Sequence, residues 1–189
     1  MGLAEIKICG VNHGEFAREA ERLGADYLGF IRAEESPRFV TAAQAKAIIG
    51  GLTGKARTVG VWTRFPDLEE AKDTGFKVLQ LHYRANEEEV AKVKAAGFEC
   101  WTLAGGAKAD ANIFDKSHGD GEKDMKKTEG RAVLAGGIGA HNIGEALASG
   151  AAVVDLSGSL ERERGVKDMG RLRELFAAIA AARAKGAGQ

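Results

Sequence analysis

Two residues able to move protons stand at the ends of short apolar runs, Cys9 in "EIKICGVNH" and Asp115 in "NIFDKS". A carboxyl group that closes an apolar run is partly desolvated, which raises its pKa and suits it to serve as a general acid. An aspartate that caps the next turn is the other reading of Asp115. Cys9 divides in the same way. A thiol becomes chemically active once ionised, but cysteine is also among the most buried residue types, and a strand cysteine is commonly packing. Cys100, in "AGFECWTL", falls in the packing class.

Other candidates are suited to anions. "LAGGIGAHN", residues 134 to 142, places Gly136 and Gly137 where a strand turns toward a helix, so bare N–H groups and a helix N-terminus can meet a phosphate. "VDLSGSLE", residues 154 to 161, repeats the device with hydroxyls, through Asp155, Ser157, Gly158 and Ser159. "ESPRFV" pairs a rigid Ser-Pro turn with Arg38. Its guanidinium fork matches a substrate carboxylate, with a solvated surface arginine as the alternative. His82 ends "VLQLH" and either touches substrate or packs at its strand end. His13 and His141 stand at apparent helix starts, as surface or capping residues.

These groups need a frame. Short apolar strand candidates fall at Ile6–Cys9, Tyr27–Ile31, Arg57–Trp62, Val78–His82, Phe98–Leu103, Asn112–Asp115, Ala132–Ala135 and Val153–Leu156. Most are near-continuous rather than alternating, as parallel strands covered on both faces should be. Helical spacing occupies Glu15–Leu23, Ala42–Gly50, Asp67–Thr74, Glu87–Ala96, Ile143–Ala148 and Met169–Lys185. Glycines in "LGADYLGF", "TGFKVLQLH", "AGFECWTL" and "SGAAVVDL" are placed to end helices in the left-handed C-cap conformation. Only "AGGAKAD" separates the fifth strand from the sixth, too little for a crossover helix, and the polar stretch from Lys116 to Arg131 reads as a mobile loop with at most a short helix.

Eight strands in this alternation permit a closed barrel or an open doubly wound sheet. The latter would want Gly-x-Gly-x-x-Gly after the first strand, where Cys9-Gly10-Val11-Asn12 stands instead. The glycine turns fall after strands seven and eight, where phosphate-binding (β/α)8 TIM barrels put their anion site. The expected fold is therefore one such barrel spanning residues 1–189 as a single domain, with a reduced fifth helix. The reactive groups then come together at the C-terminal ends of the strands.

Composition narrows the ligand class. The 27 basic and 27 acidic residues cancel, which argues for no nucleic acid and no membrane surface as partner and for a small molecule instead. No apolar run approaches a membrane span, and the N-terminus lacks the apolar core of a signal peptide, so cytoplasm is the expected compartment. Two cysteines suggest free thiols rather than a disulfide framework or a metal cluster.

Taken in order, "KICG", "LGF" with "SPRFV", "VGVW", "QLH", "FD", "LAGGI" and "VDLSGSLE…GVKD" resemble the phosphoribosylanthranilate isomerases of tryptophan biosynthesis, over about residues 5 to 180. The resemblance implies an Amadori rearrangement of N-(5'-phosphoribosyl)anthranilate to the carboxyphenylamino-deoxyribulose phosphate, without metal or organic cofactor. It implies Asp115 as the general acid that opens the ribose ring and Cys9 as the base at the sugar C2. Arg38 would hold the anthranilate carboxylate and the glycine turns the phosphate. A monomer and a homodimer are both compatible with it.

The chain departs from the family pattern in three places. Tyr83 follows His82 where a glycine is usual, and its bulk would narrow the mouth. "HGDG" puts His118 and Asp120 in a loop that usually reads Gly-Gly-Thr-Gly, and an aspartate beside a phosphate is repelled by it. The usual Ser-Ser-Gly is Ser157-Gly158-Ser159. These changes bear on substrate affinity more than on reaction type. Two rival readings are the sister isomerase of histidine biosynthesis, or a barrel doing both reactions, and a barrel that binds a sugar phosphate without turnover. The first would want an aspartate in place of Cys9 and a phosphate cradle after strand three. The second has no use for an acid–base pair.

Overall fold

The computed structural model describes residues 3–116 and 130–186. Its eight strands close into a barrel in chain order. They are β1 (Glu5–Cys9), β2 (Tyr27–Ile31), β3 (Arg57–Trp62), β4 (Val78–Leu81), β5 (Glu99–Leu103), β6 (Ala111–Asp115), β7 (Arg131–Ala135) and β8 (Val153–Leu156). Closure comes from β8, which runs parallel beside β1 with Val154 opposite Ile6 and Asp155 opposite Lys7.

Around the sheet lie α1 (Gly14–Leu23), α2 (Ala42–Gly50), α3 (Leu68–Thr74), α4 (Glu87–Ala95), α5 (Ile143–Ala148) and α6 (Met169–Gly186). Helix starts follow the side chains able to satisfy free N–H groups. Thr41 with Gln44 and Asn86 with Glu89 form reciprocal capping boxes, and Asp67 caps α3. His13 caps α1 by accepting from the Phe16 N–H, one of the two roles open to it in the sequence. The four glycines expected to end helices, Gly24, Gly75, Gly97 and Gly150, all have φ between 85° and 104°. No helix forms between β5 and β6, as the short connection required. Asp110 holds that loop by accepting from the Cys100 N–H and from Lys94. Residues 117–129, including His118 and Asp120, lie outside the described residues, as does the loop or short helix expected there. Among the described residues no helix is long and apolar enough to cross a membrane.

Strand alternation sorts side chains into two layers. Ile6, Ile8, Leu28, Leu79 and Leu134 point outward to the helices, where they pack with Phe16, Val93 and Leu172. Val59, Val78, Trp101, Ile113, Val133 and Val153 fill the barrel. Most strands are thus apolar on both faces, which accounts for the nearly unbroken runs in the sequence. Within the barrel Tyr27 and Trp101 meet edge to face, with centroids 5.0 Å apart.

The N-terminal end of the barrel is closed by charge. Glu5, Arg57, Glu99 and Arg131, from alternate strands, form one layer. Glu99 receives Arg57 at 2.6 Å and Arg131 at 3.0 Å, while Arg131 also pairs with Glu5 and donates to the Tyr27 hydroxyl at 2.6 Å. The Arg131 guanidinium lies over the Tyr27 and Trp101 rings, and the Trp101 indole donates to Glu99 at 2.6 Å.

Candidate active site

The opposite end is open. The C-terminal ends of the strands surround a cavity of ≈ 820 Å³, the size of small-molecule sites. Every site residue expected from the sequence lines it, from Cys9 to Ser159. Cys9 is inward on β1 and 6% exposed, and Asp115, at the end of β6, is 8% exposed. They approach the cavity from strands three apart around the barrel, separated by β7 and β8.

Cys9 owes its position to an absence. Gly29 is its neighbour on β2, and a Cβ there would lie 2.9 Å from the Cys9 sulfur and 3.2 Å from Lys7 Cε. Beneath the thiol, Lys7 is wholly buried and donates to Asp155 Oδ2 at 2.6 Å. Burial opposes the lysine charge, but Asp155 and Cys9 hold the ammonium above its ordinary pKa. Burial pushes the Cys9 thiol up, and Lys7 resists that shift by charge and by a hydrogen bond while Asp155 adds to it. Burial also raises the Asp155 carboxyl, against the pull of Lys7. Asp155 Oδ1 is buried without a hydrogen-bond partner.

Arg38 reaches the cavity already held. Its Nε and Nη2 donate to the two oxygens of Glu161, on β9 (Glu161–Glu163), at 2.5 and 2.8 Å. Lys167, on β10 (Val166–Lys167), donates to the same carboxylate at 3.0 Å and to the Ser157 carbonyl at 3.0 Å. The Gly165 N–H adds a further bond to Glu161. Burial would raise the Glu161 carboxyl, but Arg38, the Gly165 N–H and Lys167 hold it at about 2. The fork thus has a fixed orientation, and the carboxylate that fixes it is not the substrate's.

The anion side is built from two loops in contact. Gly136 and Gly137 both have positive φ, 88° and 67°, a turn closed to other residues without strain. They do not open α5 directly, as expected from the sequence. Residues 138–142 intervene, and Asn142 uses its side chain to hold the turn, accepting from the Gly139 N–H and donating to the Gly137 carbonyl. A Cβ on Gly139 would come within 2.9 Å of Ser159 Cβ, so the loops after β7 and β8 touch. Ser157 leads into a 3-10 turn, Gly158–Leu160, and the Ser159 hydroxyl is buried without a partner.

His82 lines the cavity and meets Gln80 Nε2 through Nδ1 at 3.2 Å. Tyr83 corrects an expectation. It follows an inward residue, so its side chain points outward, packs against the outer core and donates to Glu89 at 3.0 Å. It does not narrow the mouth. Cys100 is fully buried in the outer layer, its thiol pushed up by burial to about 12, as packing requires. His141 is exposed.

Sequence reasoning overlooked Lys7, Gln80, Glu161 and Lys167 as site residues. For Lys7 the signal was available: a lysine inside the apolar run "EIKIC", two residues from Cys9 and so on the same face. Glu161 and Lys167 stand in "LERERGVKD", a hairpin with no apolar pattern to show that it buries them.

Comparison with known proteins adds what geometry alone does not. A family model described as N-(5'-phosphoribosyl)anthranilate isomerase matches residues 6–178. The isomerase of that name from Geobacter metallireducens is 32% identical over 92% of this chain and 98% of its own. That from Zymomonas mobilis is 29% identical, covering 92% of this chain and 96% of its own. The crystal structure of phosphoribosyl anthranilate isomerase from Thermus thermophilus superposes with a TM-score of 0.78 at 32% identity, over 94% of this chain and 98% of that one. The family model spans most of the chain and the Geobacter relative matches it over nearly its whole length, and the chain belongs to the N-(5'-phosphoribosyl)anthranilate isomerase family.

Proposed function

We propose that the chain, acting as one barrel domain, converts N-(5'-phosphoribosyl)anthranilate to 1-(2-carboxyphenylamino)-1-deoxyribulose 5-phosphate. The observation that carries this reading is the presence of Cys9 and Asp115 in one cavity whose remaining wall offers two glycine turns and a guanidinium. Asp115 protonates the ribose ring oxygen, the C1–O bond breaks, and the aniline nitrogen lone pair forms an iminium. The Cys9 thiolate then removes the proton from C2, which the iminium has acidified, and the electron pair moves to give an enolamine. Its tautomerisation to the ketone completes the rearrangement with no net change in atoms or electrons. A general acid and base of this kind contribute about 10²–10⁴-fold each.

Arg38 holds the anthranilate carboxylate through the guanidinium face that Glu161 leaves available. The phosphate lies between the Gly136–Gly137 turn and the Ser157–Ser159 turn, where the buried Ser159 hydroxyl lacks a protein partner. Asp155 Oδ1 accepts from a sugar hydroxyl, for the same reason, and His82 contacts the sugar at the rim. The test is turnover of freshly generated substrate, followed by its loss of fluorescence. Collapse of activity in both Cys9→Ala and Asp115→Asn, with folding intact, is the expected result. A folded parent chain without turnover would overturn the reading in favour of a sugar-phosphate binder.

A further inference from the structure

A sulfur atom that must become an anion is nearly buried at the floor of the cavity, 6% exposed. The site needs a counter-ion, and the wall around Cys9 supplies one from below. Lys7 lies two residues earlier on the same strand and has no exposed surface. Gly29 leaves the space in which its stem and the Cys9 sulfur lie side by side. Its ammonium bonds Asp155 at 2.6 Å, and its charge acts on the thiol beside it.

A lysine held for packing alone would be a poor choice, because a buried ammonium is destabilising unless fully compensated. Asp155 compensates it through one oxygen, and its other oxygen is buried without a partner in a residue that lines the cavity. We propose that Lys7 is a positioning residue for the base: it is the counter-ion of the Cys9 thiolate, and Asp155 sets how much of its charge the sulfur feels.

The step is simple in its balance. Lys7 stays protonated throughout; the thiolate takes the C2 proton and becomes a thiol, and that proton later returns to solvent. The other charged groups around the pair are few. Lys167 from β10 also favours the thiolate, Arg38 is in turn influenced by Cys9, and His82 and Asp115 act on Asp155.

This inference rests on Cys9 being the base, so its test is read from the thiol and not from turnover. Iodoacetamide alkylation of Cys9 in the whole chain is followed by peptide mass across pH, with the fully buried Cys100 as internal reference. In Lys7→Met the inflection should rise by about one to two pH units, the size of a close opposite-charge effect. In Asp155→Asn it should fall, because the cation then acts on the sulfur alone. A purely structural role would not give shifts of opposite sign. If Lys7→Met does not fold, the double variant Lys7→Met with Asp155→Asn, which buries no net charge, replaces it and should also titrate above the parent. An inflection at or below the parent's in a folded variant lacking Lys7 overturns the proposal. Full turnover in Cys9→Ala would instead remove the base reading, whatever the alkylation shows.

Discussion

The two ends of the barrel both set charged side chains on an apolar interior, and they use them in opposite ways. At the N-terminal end, Glu99 accepts from Arg57, Arg131 and the Trp101 indole, and Arg131 bridges onward to Glu5 and Tyr27. At the mouth, Asp155 Oδ1, Ser159 Oγ and Gln80 Oε1 are buried without partners. A polar atom left so costs about 1–3 kcal/mol. The charged layer at the closed end finds its partners within the protein, whereas these three atoms at the mouth find none there. Strand length separates the two ends: from Glu5 to Cys9 is about 13 Å of chain at ~3.3 Å per residue.

That contrast can be broken most forcefully at the mouth. Asp115→Asn should lower kcat/KM by about 10³-fold or more, the scale of a lost general acid, while thermal unfolding stays close to the parent's. A comparable loss of stability would mean that Asp115 is structural and the ends are alike. At the closed end, Arg131→Met should have the reverse signature, lowering stability by about 1–3 kcal/mol in denaturant titration with kcat/KM per folded molecule unchanged. The figure allows for partial exposure of Glu5 and Arg131.

Two smaller effects would sharpen the comparison. Glu161→Gln should raise KM by about tenfold, the worth of one weakened charge-assisted bond, with less change in kcat, because it frees Arg38 to wander. Its pH dependence follows in sign from a depressed pKa. The carboxylate is held at about 2, so its stabilisation is complete above the unfolded value of ~4.3 and disappears as pH falls from there toward 2. Acid titration of Glu161→Gln should therefore lack that component. Smallest of all, Lys46→Ala, which breaks the exposed pair with Asp73, should change stability by less than about 0.5 kcal/mol and activity not at all.

Much of the scaffold was legible because barrel strands carry an unambiguous signal. Runs such as "YLGFI" and "RTVGVW" have the same bounds in sequence and structure, since burial on both faces demands continuous apolar residues. Where strands extend further, the additions are Glu5, Ala111 and Arg131, and Glu5 and Arg131 are charges that hydropathy excludes and the closing network holds. The mouth was legible by position, because strand ends face one way. Its supporting charges were legible only in part. Lys7 stands out as a charge inside an apolar run, but its role, like that of Glu161, is intelligible only through Asp155 and Arg38, 148 and 123 residues away along the chain. Tyr83 shows the converse error, where a side chain judged by its place beside His82 proved to point to the other face.

The two tryptophans stand in different layers. Trp62 lies outside the sheet, its ring folded across Gly60 against Phe76, while Trp101 lies within the barrel, fixed to Glu99. Indole emission overlaps the absorption of an anthranilate ring, so Trp101, inside the barrel below the cavity, is placed to transfer excitation to a bound ligand. In a Trp62→Phe background that quenching would report occupancy of the mouth in a variant unable to turn substrate over. The same indole, through Glu99, would also report the breaking of the charge network at the far end, so one chromophore watches both.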